Sequence, residues 1–106
     1  MGLFGFGKTV SIDDGVREFK EKEGAMLLDV RTPGEYSMGH IPESKNVPLD
    51  EIKAVKDVVP DTNTPIFLYC LSGARSGRAA SLLKRMGYTD VKNIGGIGSY
   101  TGKVER

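Results

Sequence analysis

The sequence predicts a single α/β domain on a largely parallel sheet, and three observations lead there. Two short continuous apolar runs, AMLLDV (25–30) and IFLYC (66–70), read as strands covered on both faces. Segments with helically spaced apolar residues lie before and after them, so strand and helix alternate along the chain. No internal repeat or linker interrupts the 106 residues, a length suited to one compact domain.

Ser11 or Asp13 caps a first helix through DDGVREFKEKEG, with Val16 and Phe19 on its apolar side and Gly24 as its stop. AMLLDV follows as a strand. RTPGEYSMGHIPES is rich in turn formers and leaves room for one helical turn after Pro33. NVPL reads as a short strand, and Asp50 is expected to cap a brief helix through EIKAVKDVV that Pro60 ends. DTNTP is a loop, and IFLYC is the second strongly apolar strand. After the turn LSGARS, the spacing of Ala79, Leu82, Leu83 and Met86 gives a helix closed by Gly87. DVKNI is a last strand, and GGIGSYTGKVER is expected to be a loose tail.

Composition removes several classes of function. Hydrophobic residues make up 39% and charged residues 27%, enough to bury a core without metal or disulfide support. The net charge of +1, with both signs interspersed, gives no electrostatic footprint for nucleic acid or an anionic membrane. One cysteine and one histidine form no internal disulfide and no zinc-site spacing, so no metal and no cofactor are expected. The segment MGLFGFGKTV lacks the apolar core of a signal peptide and, with Phe6 in place of Ser or Thr, the myristoylation pattern. Residues 1–8, with the sticky Leu3, Phe4 and Phe6, are expected to form an N-terminal segment that docks or frays, with the domain over 9–106. No apolar run approaches the roughly 20 residues that span a bilayer, and the free thiol fits a reducing cytoplasm. A monomer is expected.

Cys70 ends the run IFLYC and opens Leu71, Ser72, Gly73, Ala74, Arg75 and Ser76. In parallel α/β sheets, ligands bind at the carboxyl ends of the strands, which is where this thiol falls. A tight turn into a helix points backbone N–H groups inward, and Gly73 permits the backbone that such a cradle needs. The helix start and Arg75 add positive field. A thiolate in this setting has its pKa drawn from about 8.5 toward roughly 3.5–7.5, which makes it a nucleophile inside an anion site. The competing reading is a buried, inert cysteine; its place between a strand and a donor-rich turn argues for the reactive one.

The loop and its surroundings resemble the rhodanese-like family. The matching residues are LLDVRTPGEYSMGHIPESKNVPL (Asp29, Arg31, Glu35, Gly39, His40, Ile41, Asn46, Pro48), YCLSGARS, and IGGIGSY, in the family's order from about Thr9 to Tyr100. The resemblance implies a central five-stranded, mainly parallel sheet with helices on both faces. It also implies a sulfurtransferase in which Cys70 takes a sulfane sulfur from a small anion such as thiosulfate, or from a persulfide donor, and becomes a persulfide. The sulfur then passes to cyanide, a thiol or a protein acceptor. The backbone donors of residues 71–76 are expected to hold the terminal sulfur, and Arg75 to close the loop and attract an anionic donor. The chain departs from the family where Gly-Ala is common after the His-Ile pair (Pro42 and Glu43 here) and where Trp is common near the end (Tyr100).

Asp29, Arg31, Glu35 and His40 read as two charge pairs fixing a turn, with His40 bonded to backbone, in preference to an acid–base set. Arg78, Lys84 and Arg85 mark a solvated helix face, with Arg78 near enough to steer anions; Tyr69 and Tyr88 pack. GARSGR lacks the Gly-x4-Gly-Lys-Ser/Thr spacing of a nucleotide loop. Two other functions compete with sulfur transfer. A cysteine phosphatase uses Cys-x5-Arg, one residue more than the span from Cys70 to Arg75. A non-catalytic interaction module of this family often lacks the cysteine that this chain keeps.

Overall fold

The structure, a computed structural model, describes residues 11–106; the expectations for residues 1–8 lie outside them. The elements in chain order are α1 (Ile12–Glu21), β1 (Met26–Asp29), α2 (Pro33–Met38), β2 (Lys45–Asn46), a 3₁₀ segment (Leu49–Ala54), α3 (Val55–Val58), β3 (Ile66–Cys70), α4 (Ala74–Arg85), β4 (Val91–Gly96) and a 3₁₀ turn (Ile97–Ser99). The sheet is parallel throughout, in the order β2-β1-β3-β4. The α/β architecture is as expected, with four strands among the described residues instead of five.

Side chains alternate across the two central strands and feed two cores. Leu28, Leu68 and Cys70 face Val55, Ala79 and Leu83 on one side. Leu27, Phe67 and Tyr69 face Ile12, Val16 and Phe19 on the other. Helices therefore cover both faces, which is why β1 and β3 are apolar without polar alternation. Each such fully buried aliphatic side chain stabilises the fold by about 1.5–3 kcal/mol relative to exposure.

Local signals explain the helix starts. Ser11 Oγ accepts from Asp14 N–H at 3.1 Å, so Ser11 and not Asp13 caps α1. Thr32 caps α2 in a reciprocal box: its hydroxyl accepts from Glu35 N–H, and the Glu35 carboxylate accepts from Thr32 N–H at 2.9 Å.

Four readings need correction. Asp50 caps nothing; the chain enters the 3₁₀ segment from Pro48, whose fixed φ starts the turn without a side-chain acceptor. The short strand is Lys45–Asn46, two residues placed by Val47 N–H donating to Asp29 O, and not NVPL. The chain after β4 is fastened, not loose: Thr101 N–H and hydroxyl donate to the Asp13 carboxylate, and His40 and Glu105 form an antiparallel bridge. Of the expected charge pairs within the 31–44 turn, only Asp29–Arg31 forms there. It is buried, with Arg31 Nη2 donating to Asp29 Oδ2 and to Gly39 O at 2.7 Å each. His40 bonds backbone as expected, through Nδ1 and Tyr36 O at 2.9 Å, with its ring stacked on Tyr36. Glu43, at one of the departures from the family pattern, has φ +74°, a backbone that glycine adopts more readily.

Candidate active site around Cys70

β3 delivers Cys70 to the carboxyl edge of the sheet, buried between its neighbours, with Gly96 of β4 opposite it. The chain then reverses through Gly73, whose φ of +106° only glycine takes without strain, and enters α4 at Ala74. That reversal aims Gly73 N–H at the Cys70 sulfur, 3.0 Å away. Ser76, one turn into α4 and fully buried, places its hydroxyl oxygen 3.4 Å from the same sulfur.

Two influences on the thiol oppose each other. Burial raises its pKa, because the anion loses solvent. The Ser76 hydroxyl and the N–H groups of Ser76, Gly73 and Ser72 favour the anion, and the net shift is downward. Hydrogen-bond donors and the start of the 12-residue α4 thus favour the anion in a place where burial alone would disfavour it.

Arg75 reaches out of the loop to another element. Its guanidinium fork meets Glu35 of α2 side-on, Nη1 to Oε1 at 2.7 Å and Nη2 to Oε2 at 2.9 Å. The fork therefore pairs with Glu35 and not with loop carbonyls, and Glu35 answers its charge at a partly exposed position. Arg75, with support from Thr32 N–H, holds the Glu35 carboxyl at a pKa of about 2. The loop is closed by a clasp to the α2 capping box.

The other loop residues take distinct places. Leu71 is exposed and its carbonyl accepts from Gly98 N–H at 3.2 Å, while Ser72 and Ala74 sit at the exposed mouth. Of the flanking set, Glu35 alone joins the loop; His40 is engaged by Tyr36 and Glu105.

Sequence reasoning assigned no role to two further participants. Asn93 of β4 donates through Nδ2 to Gly73 O at 3.0 Å, and its Oδ1 accepts from Ser76 Oγ at 2.7 Å and Gly95 N–H at 3.0 Å. Gly96 lets β4 run against the loop: a Cβ there would overlap the Leu71 carbonyl oxygen and lie 2.5 Å from Ser72 Cα. The Gly-Gly pair after a strand was the available signal for Gly96, since such a pair marks close backbone approach. An asparagine inside a strand carries no comparable signal.

This combination of parallel sheet, strand-end cysteine and helix-opening loop matches a known family. The rhodanese-like domain profile matches residues 13–103, and the chain belongs to that family. It is 42% identical over 82 residues to the uncharacterized protein YqhL of Bacillus subtilis, covering 76% of this chain and 64% of that protein. It is 42% identical over 71 residues to the thiosulfate sulfurtransferase PspE of Escherichia coli, covering 66% of this chain and 68% of PspE. A solved structure of a rhodanese with anions from E. coli superposes with a TM-score of 0.72 at 36% identity, covering 77% of this chain and 98% of that one. The chain thus spans about two thirds of the length of these first two relatives.

Proposed function

We propose that this chain is a rhodanese-type sulfurtransferase in which Cys70 carries the sulfur. The observation that carries the reading is the Cys70 sulfur itself, held at 3.0 Å by Gly73 N–H and favoured as an anion by loop donors despite burial. Relatives named thiosulfate sulfurtransferases support the same chemistry.

In the first step the Cys70 thiolate attacks the outer sulfur of a donor such as thiosulfate. A Cys70 Sγ–S bond forms, the donor's S–S bond breaks, and sulfite leaves with that electron pair. In the second step an acceptor thiolate or cyanide attacks the outer sulfur of the persulfide. The Sγ–S bond breaks and the Cys70 thiolate returns. Nothing but the sulfane sulfur is transferred, so neither metal nor redox cofactor enters the balance. The loop donors serve both steps, because each leaves or consumes negative charge at sulfur.

Intact-mass measurement after incubation with thiosulfate tests the proposal. Wild type gains one sulfur atom, lost on adding cyanide, and Cys70→Ser gains none. Absence of the adduct in wild type, or its persistence in Cys70→Ser, refutes the assignment and favours an interaction module.

A further inference from the structure

The Ser76 hydroxyl has one proton and three acceptors within reach: Asn93 Oδ1 at 2.7 Å, Gly73 O at 3.1 Å and Cys70 Sγ at 3.4 Å. Gly73 O already accepts from Asn93 Nδ2 and from Gly77 N–H, both at 3.0 Å, which fills its two lone pairs. The orientation of the Asn93 amide is fixed independently. Gly95 N–H requires an oxygen facing it, and Gly73 O requires the NH₂ end. Asn93 Oδ1 therefore faces Ser76, can only accept, and takes the proton.

We propose that Asn93 is a positioning residue that competes with the Cys70 sulfur for the single Ser76 proton, so that the hydroxyl turns toward Sγ only when that sulfur is an anion. With a thiol, or with a second sulfur bonded to Sγ, the hydroxyl rests on Asn93, and the thiol can donate to the serine oxygen. When Sγ becomes anionic the hydroxyl rotates to it, because a charged acceptor makes the stronger bond. The rotation forfeits the Asn93 bond, and that loss offsets part of the anion's stabilisation. Asn93 thereby keeps the thiol pKa higher than the loop donors alone would set it. A thiolate of higher pKa is the stronger nucleophile, with sensitivity of about 0.4–0.5 log units per pKa unit.

Among charged groups, Arg75 in the first turn of α4 interacts with the sulfur, and Glu35 of α2 and Asp29 of β1 act on that arginine. From β4 the loop meets the uncharged Asn93 and the Gly95–Gly96 backbone; Lys92 is turned to Glu18 of α1. A change at Asn93 therefore reaches the sulfur through Ser76 and not through altered charge.

The test is a cycle of Asn93→Leu, Ser76→Ala and the double variant, read by the pH dependence of Cys70 alkylation with iodoacetamide. Leu is close in size to Asn and offers no acceptor; the lone pair it vacates on Gly73 O lies 3.1 Å from Ser76 Oγ, against 2.7 Å for Asn93 Oδ1, and is the weaker competitor. Relieving one neutral hydrogen bond lowers the thiol pKa by about 0.5–1 unit in Asn93→Leu, roughly three- to tenfold more thiolate at a fixed acidic pH. In the Ser76→Ala background the same substitution produces no such lowering. A pKa that rises or stays constant in Asn93→Leu overturns the proposal, as does an equal lowering in both backgrounds. Should Asn93→Leu fail to fold by circular dichroism, Asn93→Ala is read the same way. The inference builds on the reading of Cys70 as the sulfur carrier, yet alkylation reports the thiolate whether or not sulfur is transferred. A negative mass test with a positive cycle therefore overturns only the sulfurtransferase reading, and the reverse overturns only the role of Asn93.

Discussion

Glu35→Gln separates two roles that Arg75 has in closing the cysteine loop, as a charge or as a clasp. Gln keeps the length of Glu35 and one oxygen, which still accepts from Thr32 N–H and Arg75 Nη1. Its NH₂ then faces Arg75 Nη2, where a 2.9 Å bond had been, and two donors meet. The Arg75 charge loses its counterion. If charge matters most, the bare guanidinium draws the thiol pKa down and alkylation at pH 6 speeds up. If the clasp matters most, the loop loosens, the Gly73 bond to sulfur weakens, and the thiol pKa rises. Both partners are about one-third exposed, so two-pronged pairing contributes about 1–2 kcal/mol after solvent screening. The thiol pKa consequently moves by at most about 1.5 units. We expect the rise, and we expect Arg75→Lys and Arg75→Ala to be similarly slowed in sulfur uptake, since Lys has no fork. The readouts are iodoacetamide alkylation against pH and the single-turnover rate with thiosulfate. A lowered thiol pKa with faster uptake in Glu35→Gln, or near-normal uptake in Arg75→Lys, refutes the clasp. The sign of the pH linkage follows from Glu35, whose folded pKa of about 2 lies below its ordinary value of about 4.3. Its stabilisation is present above pH ~4.3 and is lost as pH falls toward 2. The difference in melting temperature between wild type and Glu35→Gln therefore narrows over that interval.

Two further substitutions probe the backbone around the site. Gly96→Ala drives a methyl group into the Leu71 carbonyl, so sulfur uptake falls by about 100-fold with the circular dichroism spectrum retained; uptake within threefold of wild type counts against a role for β4 in shaping the loop. Glu43→Gly relieves a left-handed backbone at an exposed turn, a net gain of about 0.5–1 kcal/mol after the added freedom of the unfolded chain. The melting temperature rises by about 2–8 °C, and an unchanged or lower value contradicts the strain argument.

The parts of this molecule written in local chemistry were legible. Apolar runs without alternation marked β1 and β3, and strand-to-helix order placed Cys70 at the carboxyl edge of the sheet. Residue type and position narrowed the α1 cap to Ser11 or Asp13, and the bond from Asp14 N–H decides for Ser11. What stayed hidden depends on contacts remote in sequence. Glu35 and Arg75 are 40 residues apart, and nothing in either segment says that one carboxylate caps α2 and clasps the loop at once. Thr101 reaches Asp13 across 88 residues, which is why the last segment read as loose. Asn93 looked like an ordinary strand residue because its three partners come from a turn, a helix and a shifted register. Asp50 failed as a cap for the opposite reason: a strong local signal yielded to the 3₁₀ entry that Pro48 imposes.

The spacing from Cys70 to Arg75 gains its meaning from this arrangement. A phosphoryl group carries three oxygens that need donors around the attacking atom. Here the loop has four intervening residues, and Gly73 N–H points at Sγ from 3.0 Å. The Arg75 fork is spent on Glu35, and both lone pairs of Asn93 Oδ1 are filled by Ser76 and Gly95. A phosphoryl group attacked at phosphorus would have to break the clasp for its oxygens to reach Arg75. A single sulfur atom on Cys70 asks for no more than the N–H groups at the turn. The shorter loop and the Arg75–Glu35 pair together leave fewer donors for a phosphoryl group, which is why sulfur transfer on Cys70 is the reading proposed over phosphate chemistry.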